Sequence, residues 1–192
     1  SWALLSNSKN HGIVKLRNNI FGYAGGICGK SISQIIDCEQ DGTIAILDYC
    51  FSGSIGGIAG LGRIVSGCKN TGTIQPEVRM YYCGGVVGNA TIGIENCENS
   101  GEISPNGAQC LGGICGNAGQ YIVNCINHAD IKATSRGYNY IGGIGSFGKE
   151  VRDCINLGTI KVDSISLFDY DTAVSGITCY SKEVRNCRNQ GD

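Results

Sequence analysis

Short blocks of aliphatic residues, mostly isoleucine and valine, alternate along the chain with glycines and polar residues. In several blocks the apolar residues stand two apart, which places them on one face of an extended strand. No stretch carries the 3.6-residue period of an amphipathic helix long enough to compete. The pattern predicts many short β-strands separated by glycine turns, and no long helix.

One pattern returns throughout the sequence: aliphatic-x-x-Cys-x-Asn-x-Gly-x-Ile, as in Ile94–Ile103. The first repeat has Ser8 in place of the cysteine, and the fifth has Ala129 in place of the glycine. The cysteines of the pattern recur at spacings of 28 to 33 residues: Cys38, Cys68, Cys97, Cys125, Cys154 and Cys187. Such a constant period indicates an array of structural repeats.

A second motif, Gly-Gly-aliphatic-x-Gly, precedes the cysteine motif; its fifth copy has Ser146 in place of the last glycine, and its sixth is degraded. Its copies begin at Gly25, Gly56, Gly84, Gly112 and Gly142. Short strands and glycine turns at a fixed period are typical of β-solenoids. We therefore predict one domain, residues 1–192. Its fold should be an all-β, single-stranded parallel β-solenoid with about six right-handed coils of about 30 residues.

Stacking of equivalent residues from successive coils predicts three apolar columns. They are formed by the isoleucine of Gly-x-Ile, the aliphatic residue of the glycine motif and the residue three before each cysteine. Each side chain contributes roughly 1.5–3 kcal/mol when it is fully buried. The members are Ile44, Ile74, Ile103, Ile131 and Ile160; Ile27, Ile58, Val86, Ile114, Ile144 and Ile177; and Ile35, Val65, Ile94, Ile122, Val151 and Val184.

The asparagines of the cysteine motif should form a ladder at a turn, with their amides bonded to the backbone or to each other. The members of this ladder are Asn70, Asn99, Asn127, Asn156 and Asn189. The glycine two residues after each asparagine is expected to have a positive φ angle. Ala129 would then be the strained exception.

Twelve cysteines are present, and none forms the Cys-x-x-Cys pair that is typical of zinc sites. In parallel coils the Cβ atoms of stacked cysteines lie about 4.8 Å apart, which exceeds the usual Cβ separation in a disulfide. We therefore predict a reduced, buried cysteine column that fills the core as small apolar residues. Some disulfides, or a metal or redox role, are the alternatives. Cys83 and Cys110 are the pair most suited to a disulfide.

The composition argues against binding to nucleic acid and against insertion into a membrane. The net charge is −1 and 16% of residues are charged, which gives no electrostatic footprint for nucleic acid or an anionic membrane. No apolar run approaches the roughly 20 residues of a membrane span. Both ends of the sequence fall inside a repeat, so we expect the chain to be a segment of a longer array.

The two linked motifs resemble the GLUG-type repeats of bacterial surface proteins, in which Gly-Gly-aliphatic-x-Gly is followed by Asn-Cys-x-Asn-x-Gly-x-aliphatic. Gly84–Gly88 with Asn96–Ile103 matches this pattern, as does Gly112–Gly116 with Asn124–Ile131, and Asn186–Gly191 is a partial copy. The resemblance covers nearly the whole chain and implies a β-solenoid from a secreted or cell-surface, adhesin-like bacterial protein. Such repeats also occur beside the protease domain of some bacterial immunoglobulin A1 proteases. The family has no catalytic residues to carry over.

The polar residues give little sign of catalysis or metal binding. His11 and His128 share a repeat position but lie four coils apart, about 19 Å at strand spacing, so they cannot share a metal. Asp163, Asp169 and Asp171 are the candidate carboxylates for glycan cleavage, but all three lie in one irregular insertion. We predict no enzyme activity, no cofactor and no metal site.

Most tyrosines and phenylalanines lie in the variable stretches between repeats, and stacked coils would gather them along one side. Exposed aromatic residues in line favour a recognition surface for a glycan or a protein. The alternative is that they stand there for strand propensity and stacking within the sheet. The candidate partner-binding residues are Tyr23, Tyr49, Phe51, Tyr81, Tyr82, Tyr138, Tyr140 and Tyr170.

Together these observations predict a non-catalytic structural or adhesive β-solenoid segment of a secreted or cell-surface bacterial protein. The expected partners are a host glycan or protein and further repeats or domains of the same chain, with no nucleic acid and no membrane insertion. The alternative is an accessory solenoid domain of a secreted protease or polysaccharide-degrading enzyme. The flanking sequence would separate the two.

Overall fold

The computed structural model describes residues 4–17, 22–47, 53–135, 139–164 and 172–191, and these form strands and turns without a helix. All strand pairs are parallel, and each joins equivalent segments of successive repeats. The chain is therefore a parallel β-solenoid, as predicted. About five turns have a strand or bridge on every side, slightly fewer than the six predicted coils. The right hand of the coil stays a prediction.

Each coil crosses four sheets, which we name by length or by characteristic residue. The strands of the long sheet are Leu5–Ser6, Cys28–Lys30, Gln34–Ile36, Ala59–Ser66, Val87–Glu95, Cys115–Ala118, Tyr121–Val123, Gly145–Phe147, Glu150–Arg152, Thr178–Tyr180 and Glu183–Arg185. The asparagine sheet follows after a short corner, with Lys9–Asn10, Glu39–Gln40, Lys69–Asn70, Glu98–Asn99, Ile126–Asn127, Ile155–Asn156 and Arg188–Asn189.

The chain then enters the isoleucine sheet and returns through the tyrosine sheet. The isoleucine sheet has two ladders, formed by Ile13–Leu16, Thr43–Ile46 and Thr73–Pro76, and by Ile131–Ser135 and Ile160–Ser164. The strands of the tyrosine sheet are Tyr23–Ala24, Ser54–Gly56, Met80–Gly84, Ala108–Gly112, Asn139–Gly142 and Thr172–Ser175. From the tyrosine sheet the glycine motif leads into the next strand of the long sheet.

Equivalent side chains of successive coils lie over one another. Ile74 pairs with Ile44 in the isoleucine sheet, and isolated bridges continue this column through Ile103 to Ile131. The long sheet aligns its apolar positions in the same way from coil to coil. The period of the sequence thus becomes a strand spacing of about 4.8 Å in space.

The core consists of two apolar clusters. The first lies against the long sheet and combines the residues three before each cysteine, the aliphatic residues of the glycine motif and the cysteines. The second lies between the isoleucine and tyrosine sheets and contains the Gly-x-Ile column. The predicted columns are buried in the central coils, while Ile27, Ile160 and Ile177 are half-buried. Val184 is 49% exposed because the last described coil leaves it uncovered.

The predicted asparagine ladder is present, and it is buried from Asn70 to Asn156, while its last member, Asn189, is exposed. Asn99 donates to the amide oxygen of Asn127 at 2.9 Å, and Asn127 donates to that of Asn156 at 2.8 Å. Each side chain also closes its own turn, since Asn99 accepts the N–H of Gly101 at 3.2 Å and donates to its carbonyl at 3.3 Å. These bonds satisfy amides that have no access to water.

The predicted positive φ at the glycine after the asparagine is wrong. Gly72 and Gly101 lie outside the left-handed region, and glycine is needed there for space. A Cβ on Gly101 would lie 1.9 Å from the carbonyl oxygen of Gly72 in the previous coil. Ala129 therefore carries no left-handed strain, and it keeps both hydrogen bonds to Asn127.

Left-handed residues stand instead directly before the cysteine position, at the corner between the long and asparagine sheets. The non-glycine members have φ angles between 50° and 57°, and Gly67 has 63°. This column consists of Asn7, Asp37, Gly67, Asn96, Asn124, Asp153 and Asn186. Asn, Asp and Gly are the residue types that tolerate this conformation. The corner is therefore encoded by the residue before the cysteine.

The glycine motif turns the chain tightly between the tyrosine sheet and the long sheet, and this turn touches the asparagine ladder. A Cβ on Gly85 would lie 2.4 Å from Cγ of Asn99 and 2.1 Å from the carbonyl oxygen of Gly113. The same contact recurs between Gly113 and Asn127. The two motifs are separate in sequence but in contact in space, which explains why they recur together.

Candidate functional site

The cysteine column is a packing feature of the core, as predicted. Its buried members, at most 2% exposed, are Cys38, Cys68, Cys97, Cys125 and Cys154. Cys187 is half-buried, and every cysteine in the described ranges is a free thiol. The thiols donate to the carbonyl two residues earlier, as Cys97 does to Glu95 at 3.2 Å. Burial raises the pKa of Cys97, which opposes a nucleophilic role for its thiol.

The predicted suitability of Cys83 and Cys110 for a disulfide is wrong. In the tyrosine sheet Cys83 lies beside Leu111, whereas Cys110 lies beside Tyr82, so the two cysteines are offset by one residue. Cys83 belongs to the second core cluster, and both are free thiols. Burial raises the pKa of each thiol to about 12.

The two histidines contact carboxylates at two separate places on the surface. Nδ1 of His11 is 2.8 Å from Asp41, and Nε2 of His128 is 3.3 Å from Glu98. Glu98 is also 3.2 Å from Nζ of Lys69 in the preceding coil. Exposed pairs of this kind contribute about 1 kcal/mol or less. They belong to the charged outer surface of the asparagine sheet.

The candidate carboxylates do not assemble a site in the part of the chain that the structure describes. Asp163 is exposed and lies beside Thr134 in the isoleucine sheet. Asp169 and Asp171 lie outside the described residues. Across the five described ranges, no three His, Cys, Asp or Glu side chains are arranged to hold a metal ion.

Half of the candidate aromatic residues can be placed, and all of these lie in or at the tyrosine sheet. They are Tyr23, Tyr81, Tyr82 and Tyr140. The others, Tyr49, Phe51, Tyr138 and Tyr170, lie outside the described residues. The structure therefore brings the placed residues together on one side of the coil, and their role in binding stays a prediction.

Three of them form what we name the tyrosine column: Tyr23, Tyr82 and Tyr140. They occupy one register position in every second coil, because Ser54 stands between the first two and Cys110 between the last two. Strands lie about 4.8 Å apart, so the tyrosines recur about every 9.6 Å. Ser54 and Cys110 are only 4% exposed, so they add little to the surface between the tyrosines.

The four placed tyrosines lie partly at the surface. Tyr23 and Tyr81 are each 41% exposed, while Tyr82 and Tyr140 are half-buried. Tyr81 stands edge-on to Tyr82, with ring centroids 4.6 Å apart. Burial raises the pKa of Tyr82 to about 12, and the nearby Cys110 adds to this effect. The hydroxyl therefore stays protonated at neutral pH and can donate a hydrogen bond.

A second column lies beside the first, on the strand that follows the glycine turn. We name it the facing column, and its members in register are Lys30, Leu61, Asn89, Asn117, Phe147 and Tyr180. The columns touch, since Nζ of Lys30 is 5.4 Å from the Tyr23 ring centroid and the Phe147 and Tyr140 rings are 5.0 Å apart. The two columns together form one surface.

The surface of the paired columns is aromatic and amide-rich, and Lys30 is its one charged member. Asn117 donates to the side-chain oxygen of Asn89 at 2.9 Å, which uses one of the four N–H donors of these two amides. Phe147 and Tyr180, with centroids 5.8 Å apart, extend the aromatic surface and were missed as site residues. Their signal was present in the sequence, since every member of the facing column directly follows the glycine motif.

Comparison of the chain with protein-family models, curated proteins and solved structures found no match. A helix long and apolar enough to cross a membrane is absent from the part of the chain that the structure describes. The functional inference therefore rests on the geometry of the paired columns.

Proposed function

We propose that this chain is a non-catalytic β-solenoid segment of a secreted or cell-surface bacterial protein and that it adheres to a partner through the tyrosine column. The observation that carries the proposal is the alignment of Tyr23, Tyr82 and Tyr140 beside a nearly uncharged second column. Aromatic rings with polar groups at their tips are favoured at recognition surfaces. The GLUG-type motifs support the surface location.

The scaffold supports such a role because it holds the tyrosines on a paired backbone. The column stands on strands of the tyrosine sheet, whose inward residues Ile55, Cys83, Leu111 and Ile141 are at most 1% exposed. Side chains that are already ordered lose less entropy on binding. Each ring of a preorganised row can therefore contribute a weak contact, while several contacts with one ligand together give a high affinity.

Adhesion can be tested with beads that carry the chain. The beads are applied to cultured epithelial cells, and the fraction retained under flow is measured. The variant Tyr23→Ser/Tyr82→Ser/Tyr140→Ser should lose most of the retention, whereas Tyr121→Ser, a half-buried tyrosine on the long sheet, should keep it. Circular dichroism verifies that both variants keep the fold. Equal retention of both variants would refute the proposal.

A further inference from the structure

We propose that the tyrosine column binds a proline-rich peptide segment in the polyproline II conformation, with prolines at every third position stacked on Tyr23, Tyr82 and Tyr140. This inference rests on the proposed adhesive function and names its partner class. The ligand is a protein segment that runs along the stack of coils. It crosses the strands of the tyrosine sheet and does not pair with their edge.

The spacing of the column selects this conformation. A polyproline II helix rises about 3.1 Å per residue, so every third residue returns to the same face after about 9.3 Å. The tyrosines recur after about 9.6 Å, and the mismatch from Tyr23 to Tyr140 is only about 0.6 Å. A β-strand ligand rises about 3.3 Å per residue and returns to the same face after about 6.6 Å, which leaves the rings out of step.

The chemistry of the surface agrees with the spacing. A polyproline II backbone has no internal hydrogen bonds, so its carbonyl groups need donors. The tyrosine hydroxyls and the amides of Asn89 and Asn117 are donors beside the rings. Lys30 is the one charge in the two columns, which suits a ligand with few charges. Aromatic-lined surfaces use this combination to bind PxxP segments, whose preformed helix loses little entropy.

Calorimetric titration of the 192-residue chain tests the proposal. The probe is a synthetic peptide of about ten residues, built from Pro-Ala-Ala units, which is long enough to span the three tyrosines. The matched control peptide has the same composition with its prolines irregularly spaced. We expect the regular peptide to bind about tenfold more tightly than the control.

Variants then locate the binding surface. Tyr82→Ala should weaken binding of the regular peptide about tenfold, because a stacked ring is lost. Tyr82→Phe keeps the ring and should retain most of the affinity, and Tyr121→Ala should change nothing. Equal affinity for both peptides, or unchanged affinity in Tyr82→Ala, would overturn the inference.

A glycan arm separates this inference from the proposed function. Cellohexaose and chitohexaose are titrated into the same variants. Binding of either sugar with loss in Tyr82→Ala, and no binding of the regular peptide, would overturn the proline-rich ligand and leave adhesion through the column intact. If the triple tyrosine-to-serine variant loses bead retention but the regular peptide does not bind the parent chain, the proline-rich ligand is likewise refuted and adhesion through the column is kept. Bead retention that is independent of the tyrosines would remove both proposals.

Discussion

At the scale of single residues, the Asn99 side chain makes four hydrogen bonds although it is 0% exposed. It donates to Gly101 and Asn127, and it accepts from Asn70 and from the Gly101 N–H. A side-chain amide carries both an N–H donor and a carbonyl acceptor at its tip. It can therefore bond the preceding coil, the following coil and its own turn at the same time. Gln40 fills the same slot in an earlier coil with three of these bonds, since its oxygen accepts from Asn10 and from the Gly42 N–H and its amide donates to the Gly42 carbonyl.

Removal of one ladder amide should therefore be costly. Asn99→Ala removes one hydrogen-bond partner from each of the buried amides of Asn70 and Asn127, and it removes the amide that bonds both the N–H and the carbonyl of Gly101. We expect the free energy of unfolding to fall by about 3 kcal/mol, as measured by urea denaturation. The adjacent exposed Ser100→Ala is the control and should stay within about 0.5 kcal/mol of the parent chain. A similar effect of both substitutions would show that the ladder adds no stability.

The corner residues have a different requirement, set by backbone conformation. Asn124 has a φ angle of 50° and is exposed, and its amide donates to the side-chain oxygen of Asn96 at 2.7 Å in water-accessible surroundings, so tolerance of the left-handed region is its main requirement. Asn124→Val should lower the free energy of unfolding by about 1–2 kcal/mol, while Asn124→Gly should be nearly neutral. Substitution by valine at exposed Gln75, in a strand of continuous register, is the control. If valine is tolerated equally at both positions, the corner does not depend on this conformation.

Buried thiols predict a pH dependence of stability. The folded pKa of Cys83 is about 12, whereas an unfolded cysteine titrates near about 8.5. Below that unfolded value the thiol is protonated in both states, and above it only the unfolded state loses the proton. Stability should therefore fall as pH rises from about 8.5 towards 12.

Urea denaturation at pH 7.5 and pH 10 under reducing conditions measures this dependence. The Cys83→Ala variant should show a drop that is smaller by about 2 kcal/mol than that of the parent chain, because one buried titrating group is gone. Lysines and tyrosines contribute equally to both chains, so the difference isolates Cys83. Identical slopes would mean that this thiol ionises in the fold as it does in the unfolded chain.

At the scale of elements, the sequence predicts which segments stack but not how each corner is made. Ile74 and Ile103 were assigned to one column because apolar identity recurs at a fixed period, and stacking follows from period alone. The φ angle of Gly101 cannot be inferred in the same way. Glycine is favoured both where φ is positive and where a neighbouring backbone leaves no room for a Cβ, and the sequence does not distinguish the two cases. The need of Gly101 for space comes from Gly72 in the neighbouring coil, which no local pattern reports.

In the tyrosine sheet, too, the sequence predicts which residues belong to the sheet but not how they align. Tyr23, Tyr82 and Tyr140 were identified as aromatic residues of the variable stretches, but their alignment depends on the length of each stretch. The tyrosines are 59 and then 58 residues apart, which corresponds to two coils each time. Cys110 stands in register between Tyr82 and Tyr140 because the coil in between has the usual length. Phe147 was missed because its role appears only once the glycine turn brings the two columns side by side.

The contact between glycine turn and asparagine ladder gives a prediction at this scale. Gly85→Ala places a methyl group 2.1 Å from a backbone oxygen and 2.4 Å from Asn99, so the turn and the ladder cannot both keep their positions. We expect a loss of about 3 kcal/mol or more, or failure to fold. Gly12→Ala is the control, because its nearest neighbour is 3.4 Å away. Thermal unfolding that is equally mild in both variants would contradict the contact.

At the scale of the whole molecule, each coil is in contact mainly with the coils directly above and below it. Such a stack has no single nucleus, and its stability is a sum of coil and interface terms. Central coils have two covering neighbours, whereas the coil of residues 172–191 has one in the structure. Its side chains show the difference, since Val174 is 50% exposed and Val184 is 49% exposed.

Protection of the backbone amides against hydrogen exchange should therefore decrease from the centre of the stack towards residues 172–191. Hydrogen exchange read by mass spectrometry should be slowest in peptides covering 84–118, where Val86 and Ile114 are bonded to strands that are themselves covered. Cys187 and Cys154 give a matched second readout, because they belong to one column and differ in burial. A thiol reagent under native conditions should label Cys187 before Cys154. Uniform exchange and equal labelling would mean that the molecule opens as one unit, and the neighbour-by-neighbour account of its stability would then be wrong.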